Sequence, residues 1–273
     1  MVVSDGGVLG IIGCPILEDE VVYSVSKDAE VSKVYVIENE DSRNLLRKLD
    51  MLPDKPPIVR VSMEQLDLLV HDTGFRVLVL MKSVALHEEP QRLRKEVLAA
   101  IEEIAPRCSS ILLFYGLCGN AFRESLGPIM YGDRQVHILS DEEGRTVDDC
   151  IAAVLGGTDG YLRLLKRYPG VFYLTPAWAE NWQEMMGKME ITRGMDPGDL
   201  STLKWMFDLA GYRKALKLDT GLGDRGIYEA KVDEFVRTFN FEKGELEKEF
   251  LTLDVIDKSY TKAKKGMNGS NGC

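Results

Sequence analysis

Short apolar runs rich in β-branched residues alternate along the chain with stretches whose apolar residues recur at helical spacing. The runs 8–13, 34–37, 76–81, 110–115, 135–139, 171–175 and 214–218 predict strands. Several are apolar throughout, the pattern of a strand covered on both faces. Residues 90–104 predict the clearest helix, with Leu93, Val97, Leu98 and Ile101 on one face and Pro90 in its first turn. Segments 42–49, 63–69, 149–155, 178–189, 200–210 and 228–239 read as further helices. The alternation predicts an α/β fold: a mostly parallel sheet with helices on both faces, in three layers. A single α/β domain is expected over 1–263, with two lobes as an open alternative, divided near 156–160 or 193–199. Residues 264–273 (KKGMNGSNGC) read as a flexible tail.

Composition narrows the choice of partners. With 273 residues, 45% of them hydrophobic, the chain can bury a core without disulfides. The formal net charge of −10, from 34 basic and 44 acidic residues, comes with no basic stripe. Such a chain is a poor candidate for nucleic acid or an anionic membrane surface, where neutralising phosphates supplies most of the affinity. The first residues carry no basic n-region, and no apolar run reaches membrane-spanning length. A cytoplasmic protein acting on a small-molecule substrate is therefore expected, with a homo-oligomer as the default assembly.

The five cysteines, Cys14, Cys108, Cys118, Cys150 and Cys273, are odd in number and widely spaced, which argues against a disulfide framework. Cys14 follows the strand VLGIIG. Cys118 sits in the turn GLCGN after the strand SILLFYG. Cys150 lies at the start of a helix. In an open parallel sheet such positions share the carboxyl edge, where ligands bind, so these three can converge on one metal centre. Helix N-termini would lower their pKa values and favour thiolate, the metal-binding form. The competing reading is ordinary buried cysteine. His87 follows the strand ending at Met81 and can supply a fourth ligand, or simply hydrogen-bond a loop. Cys108 falls at the opposite edge and reads as structural. Cys273 lies on the tail, and His71 and His137 lack comparable positions.

Other motifs have bland and functional readings side by side. GLGDRG at 221–226 matches the dinucleotide fingerprint, with Gly221, Gly223 and Gly226 as candidate cofactor-binding residues and Glu242 near the place of a ribose acid. It lies close to the chain end with no second mononucleotide half behind it, so a plain strand-to-helix turn competes. Asp148 and Asp149 fit a helix cap or an acid–base pair, and Asp149 is the candidate catalytic residue. Trp178 and Trp182 fit a pocket wall or i, i+4 packing. Glu18, Asp19 and Glu20 read as a solvated helix face.

The segments GCPILEDE, LHEEPQRLRKEV, FYGLCGNA, DDCIAAVLG, FYLTPAWAENW and DTGLGDRGIYE, in this order, resemble the prokaryotic domain-of-unknown-function family 1638, common in methanogens and other anaerobes. The resemblance runs from Val8 to Leu253. Carried over by position, it implies roles for Cys14, His87, Cys118, Asp149, Cys150 and the 221–226 loop. Two departures stand out: members often carry His-Asp-Cys at 148–150 and Pro-Gly-Trp at 176–178, where this chain has Asp148-Asp149-Cys150 and Pro176-Ala177-Trp178. The first puts one polar site group in doubt. Members often accompany corrinoid-dependent methyltransferases, which implies a place in one-carbon metabolism and a corrinoid protein or methyltransferase as partner. Quinolinate synthase, where three α/β units each give one cysteine to a [4Fe–4S] cluster, is an analogy at the level of fold.

Three expectations follow. One is a metalloprotein, enzyme or accessory, whose three cysteines hold an iron–sulfur cluster (favoured) or zinc with an open position. The second is a metal-free nucleotide or small-molecule binder using the 221–226 loop. The third is an accessory protein docking through its acidic surface and the 200–210 helix.

Overall fold

The computed structural model describes residues 6–83, 89–119, 121–122, 129–132, 134–188, 196 and 199–267. The run VLGIIG forms strand β1 (Val8–Gly13), buried at every position. It stands at the centre of a seven-stranded sheet of order β3-β2-β4-β1-β5-β7-β6. The other strands are β2 (Val31–Ile37), β3 (Ile58–Val61), β4 (Phe75–Met81), β5 (Ser110–Phe114), β6 (Ile129–Tyr131) and β7 (Arg134–Ile138). All pair in parallel except β6, which runs antiparallel to β7.

Helices cover both faces. Residues of α1 (Glu18–Lys27), α2 (Arg43–Met51) and α10 (Asp254–Gly266) pack on one side of the sheet, against Leu9, Ile11, Val77 and Leu112. On the other side α3 (Pro90–Ile104) and the 3-10 turn Met63–His71 pack against Ile12, Leu78 and Leu113. Residues one apart on a strand thus serve opposite cores, and both need to be apolar. The three-layer α/β arrangement that the alternation predicts is the one observed.

A second, three-stranded parallel sheet follows, of order β10-β9-β8. Its strands are β8 (Val171–Leu174), β9 (Lys214–Lys217) and β10 (Glu242–Glu245). Before it come the short α4 (Cys150–Ala153) and α5 (Thr158–Arg167). Around it lie α6 (Pro176–Glu180), α7 (Trp182–Lys188), α8 (Ser201–Leu209) and α9 (Arg225–Phe239). Its core is aromatic: Trp178, Trp182, Phe207, Phe235 and Phe239 are buried together. Ile16, two residues beyond Cys14, is buried in this same cluster and ties the first sheet to the second.

Several expectations need correction. The helix expected over 178–189 is two helices, broken at Asn181, whose side chain donates to the Ala177 carbonyl at 2.8 Å. The helix expected over 149–155 is only the four residues of α4. The tail does not begin at 264: α10 continues to Gly266, and Lys264 pairs with Asp28 and Glu30. The candidate boundary at 156–160 falls at the start of α5, and that at 193–199 lies largely outside the described residues.

The larger correction concerns Glu18, Asp19 and Glu20. They are not solvated but 0%, 2% and 1% exposed. Lys48 of α2 reaches Glu18 at 2.8 Å, Asp19 at 2.7 Å and Glu180 of α6 at 3.0 Å. Arg47 also pairs with Glu180, and Asn181 Nδ2 donates to Glu18 Oε1 at 3.2 Å. Burial opposes the ammonium of Lys48, but Glu18, Asp19 and Glu180 together push its pKa up. Acids still outnumber bases. Burial pushes Glu18 up to about 7, against the pull of Lys48, and Glu20 up to about 8. Each has an ordinary value of 4.5, so between about pH 4.5 and 8 the folded chain holds protons that the unfolded chain has lost. Stability from these groups is therefore full below that window and falls as pH rises through it. Melting temperature should drop from pH 5.5 to pH 8, and Glu20→Gln should flatten the drop. An unaltered slope in that variant would show that Glu20 is not a buried titrating group.

Candidate functional site: a three-cysteine cavity

Neighbouring strands set the first two cysteines. β1 and β5 pair in parallel with Gly13 opposite Phe114, and the Cys14 N–H reaches the Phe114 carbonyl at 3.4 Å. The chain leaves β1 towards β2 and leaves β5 towards β6 and β7. A crevice therefore opens between the carboxyl ends of β1 and β5, as at a topological switch point. Cys14 and Cys118 stand on its two sides.

Cys150 is brought in by a backbone contact. The Leu117 N–H donates to the Val147 carbonyl at 2.8 Å, and the Cys118 N–H donates to the Asp148 carbonyl at 2.9 Å. Gly116 makes this approach possible. A Cβ there would lie 2.6 Å from the Val147 oxygen and 2.7 Å from the Asp149 nitrogen, closer than a side chain can sit. The Asp149 carboxylate accepts the Ala152 N–H at 2.8 Å and caps α4, which fixes Cys150 as that helix's first residue. Cys118 has φ +42°, in the left-handed region that costs a side-chain-bearing residue energy.

All three cysteines line one cavity of about 440 Å³. Tyr115 and Asp149 share their wall. The facing wall comes from the second sheet and its helices: Phe172, Tyr173, Trp178, Met185 and Tyr212, with Tyr161 of α5 at the side. Each thiol is partly exposed, but to the cavity. Burial pushes Cys118 up to about 11 and Cys14 and Cys150 higher; Asp149 raises Cys118 and Cys150 further, Cys118 raises Cys14, and both of those thiols raise Cys150. The expectation of thiols tuned towards thiolate by helix N-termini is thus overturned. α4 is one turn long, and the cost of burying a charge exceeds what its dipole returns. Burial also raises the Asp149 carboxyl, against the N–H groups of Ala152 and Ile151. Tyr115 lines the cavity, and its Oη is buried without a hydrogen-bond partner among the described residues.

The remaining candidates separate. His87 lies outside the described residues. Among the described residues no three Cys, His, Asp or Glu side chains form a group that could hold a metal ion as they stand. Cys108 is buried against Gly10 in the α3 core, away from the cavity. Gly221 and Gly223 belong to a different concavity, of about 410 Å³, shared with Asp219, Thr220 and Arg225, while Gly226 lies in the first turn of α9 and does not line it. Asp224 caps α9 there, accepting the Ile227 N–H at 2.9 Å. Glu242 cannot be the ribose acid: it pairs with Lys214 at the start of β9, at the edge opposite the loop. Sequence reasoning weighed Trp178 as a pocket wall but missed Tyr161, Phe172 and Tyr212. Their aromatic character was visible; their approach to cysteines of another sheet was not.

The clamp is testable by substitution. Gly116→Ala should cost at least about 1 kcal/mol in urea unfolding, since nothing near the new Cβ is a flexible side-chain end. Cys118→Gly should be more stable than Cys118→Ala by about 1 kcal/mol, because glycine carries no left-handed penalty. Equal stabilities of these two position-118 variants would mean that the turn relaxes.

A family model described as "Protein of unknown function (DUF1638)" matches residues 81–259. The matched span takes in Cys118, Asp149, Cys150 and the 221–226 loop and begins after Cys14. No curated protein and no solved structure matches the chain. The match extends over more than half of the sequence, and the chain accordingly belongs to the DUF1638 family.

Proposed function

We propose that the cavity is a thiolate metal centre in which Cys14, Cys118 and Cys150 hold one iron–sulfur cluster or zinc ion with an open position, with His87 as a candidate fourth ligand. On this reading the protein acts in, or assists, one-carbon and corrinoid-dependent methyl metabolism. The observation that carries the proposal is that three cysteines far apart in sequence all line one cavity at the carboxyl edge of the sheet. The donor set supports it. The three thiols line the same cavity, close enough for Cys14 and Cys118 to act electrostatically on Cys150, and the described wall carries no lysine, arginine or histidine to stabilise a thiolate. A metal cation is the partner that such a set lacks.

When bound, the group would supply a Lewis-acidic open position or a soft acceptor for a thiol or methyl group. The chain's own residues have separate tasks. The Gly116 contact and the Asp149 cap hold Cys118 and Cys150 in place. Tyr115 Oη, which has no hydrogen-bond partner among the described residues and lies within electrostatic reach of Cys14 and Cys118, is placed to act as an outer contact of the kind that tunes a metal site. Asp149, at the cavity wall with its carboxyl held above its ordinary value, is the group suited to take up or release a proton there.

A metal-free reading also has an observation behind it: burial keeps the thiols protonated, and the 221–226 loop lines a second concavity beside Arg225. Stoichiometric nucleotide binding by metal-free protein, abolished by Gly223→Asp, would favour it. Metal and acid-labile sulfide content, measured on protein purified without oxygen, separates the two. The metal reading expects iron with sulfide, or one zinc per chain, and expects loss in each of Cys14→Ser, Cys118→Ser and Cys150→Ser. Full retention of metal in all three variants would refute it.

A further inference from the structure

The wall that faces the cysteines is built largely from aromatic rings set at steep angles. Tyr161 and Tyr173 meet at 6.2 Å and 74°. Phe172 meets Trp178 at 4.8 Å and 64°, and Tyr212 at 5.9 Å and 65°. All five line the cavity. In these edge-to-face pairs the rings lie in several different planes around the cavity. A ring face carries negative electrostatic potential and attracts a cation within about 6 Å of its centre.

The charges around the cavity point the same way. The described lining includes the carboxyl of Asp149 and no basic side chain. Behind the cysteines stand further acids: Glu20 acts on Cys150, and Glu18 acts on Cys14. Lys48, the base beside them, is engaged with Glu18, Asp19 and Glu180. An anion entering the cavity would meet the Asp149 carboxyl and three thiols, with no compensating cation among the described lining residues. A bare ammonium is strongly hydrated, and on entering a mainly apolar cavity it would depend on Asp149 and the tyrosine hydroxyls to replace its hydrogen bonds to water. An alkylated cation needs no hydrogen bonds, and its apolar shell suits the rings and Met185.

We propose that the aromatic side of this cavity binds a small organic cation, an alkylated ammonium or sulfonium group, with its charge over the rings of Tyr161, Phe172, Tyr173, Trp178 and Tyr212 and its alkyl groups towards the three thiols. The inference rests on the cavity being the functional site, as argued above, and names its ligand class; it does not require the metal. The cavity, about 440 Å³, lies within the usual range for small-ligand sites, so a cation bearing a short substituent fits as well as a symmetrical one.

The test is calorimetric titration of the purified protein, of measured metal content, with tetramethylammonium, with choline, and with 3,3-dimethyl-1-butanol, the neutral isostere of choline. Both cations should bind at one site per chain, and the neutral isostere roughly tenfold more weakly or not at all. Tyr161→Leu and Tyr212→Leu should each lower cation affinity several-fold, while Tyr161→Phe, which keeps a ring face, should retain it. Failure of both cations to bind overturns the proposal. So does equal binding of the neutral isostere, or equal loss in Tyr161→Phe and Tyr161→Leu proteins that both melt cooperatively. The metal reading is judged separately. Metal-loaded protein that binds no cation leaves it standing and removes this inference. Cation binding by a metal-free triple cysteine-to-serine variant does the reverse for a protein that also lacks metal as purified.

Discussion

The arrangement of the site depends on two stretches of main chain meeting where Gly116 carries no side chain. The Leu117 and Cys118 N–H groups satisfy the Val147 and Asp148 carbonyls, and that pairing leaves no room for a Cβ at 116. It fastens the turn after β5 to the segment that opens α4. Cys118 is thereby held in a left-handed conformation, and Asp149 is placed to cap the helix that begins with Cys150. Cys14 needs no such device, because it follows β1, which pairs directly with β5. Strand pairing alone places Cys14, strand pairing and the clamp together place Cys118, and the clamp places Cys150. Strain at Cys118 is sustained because both of its neighbouring peptide groups are spoken for.

A second constraint joins this edge to the smaller sheet. Ile16 leaves the first sheet to be buried in the aromatic core of the second, while Lys48 gathers acids from α1 and α6. The junction is apolar on one side and ionic on the other, and the cavity lies along it. Its walls differ accordingly: thiols and a carboxyl on the side of the large sheet, aromatic rings on the side of the small one. Lys48 is engaged by its acids, and no lysine, arginine or histidine is among the described residues of the cavity wall, so the cavity offers nothing to balance an anion. That one property favours a metal among the thiols and an organic cation among the rings.

Much of this was legible in the sequence, and the reasons for the rest are physical. Strands buried on both faces announce themselves as apolar runs, so β1, β4 and β5 were readable almost to the residue. A position just beyond a strand is a property of the chain alone, and so was the placement of Cys14 and Cys118 on the carboxyl edge. The strand β10, with sequence EKGE, carries no apolar signal; it exists because β9 offers it a parallel partner. β3 is four residues long and follows two prolines. The triplet Glu18–Asp19–Glu20 reads as a solvent face to any periodicity argument, since its burial depends on Lys48, which is distant in sequence. The thiol pKa values were misread for a related reason: depth of burial is not encoded in local spacing. The three-cysteine constellation was readable; the aromatic wall opposite it, drawn from another sheet, was not.

The central claim is that Cys14, Cys118 and Cys150 act as one ligand set. Titration of oxygen-free, metal-stripped protein with cobalt(II), followed by absorption, addresses it directly, because sulfur-to-cobalt charge transfer appears only where thiolates bind the ion. The account predicts saturation at one cobalt per chain, with charge-transfer intensity that falls stepwise as the three cysteines are replaced singly and in pairs. Cobalt that binds without a thiolate band, or with a band indifferent to any one of the three, would contradict it.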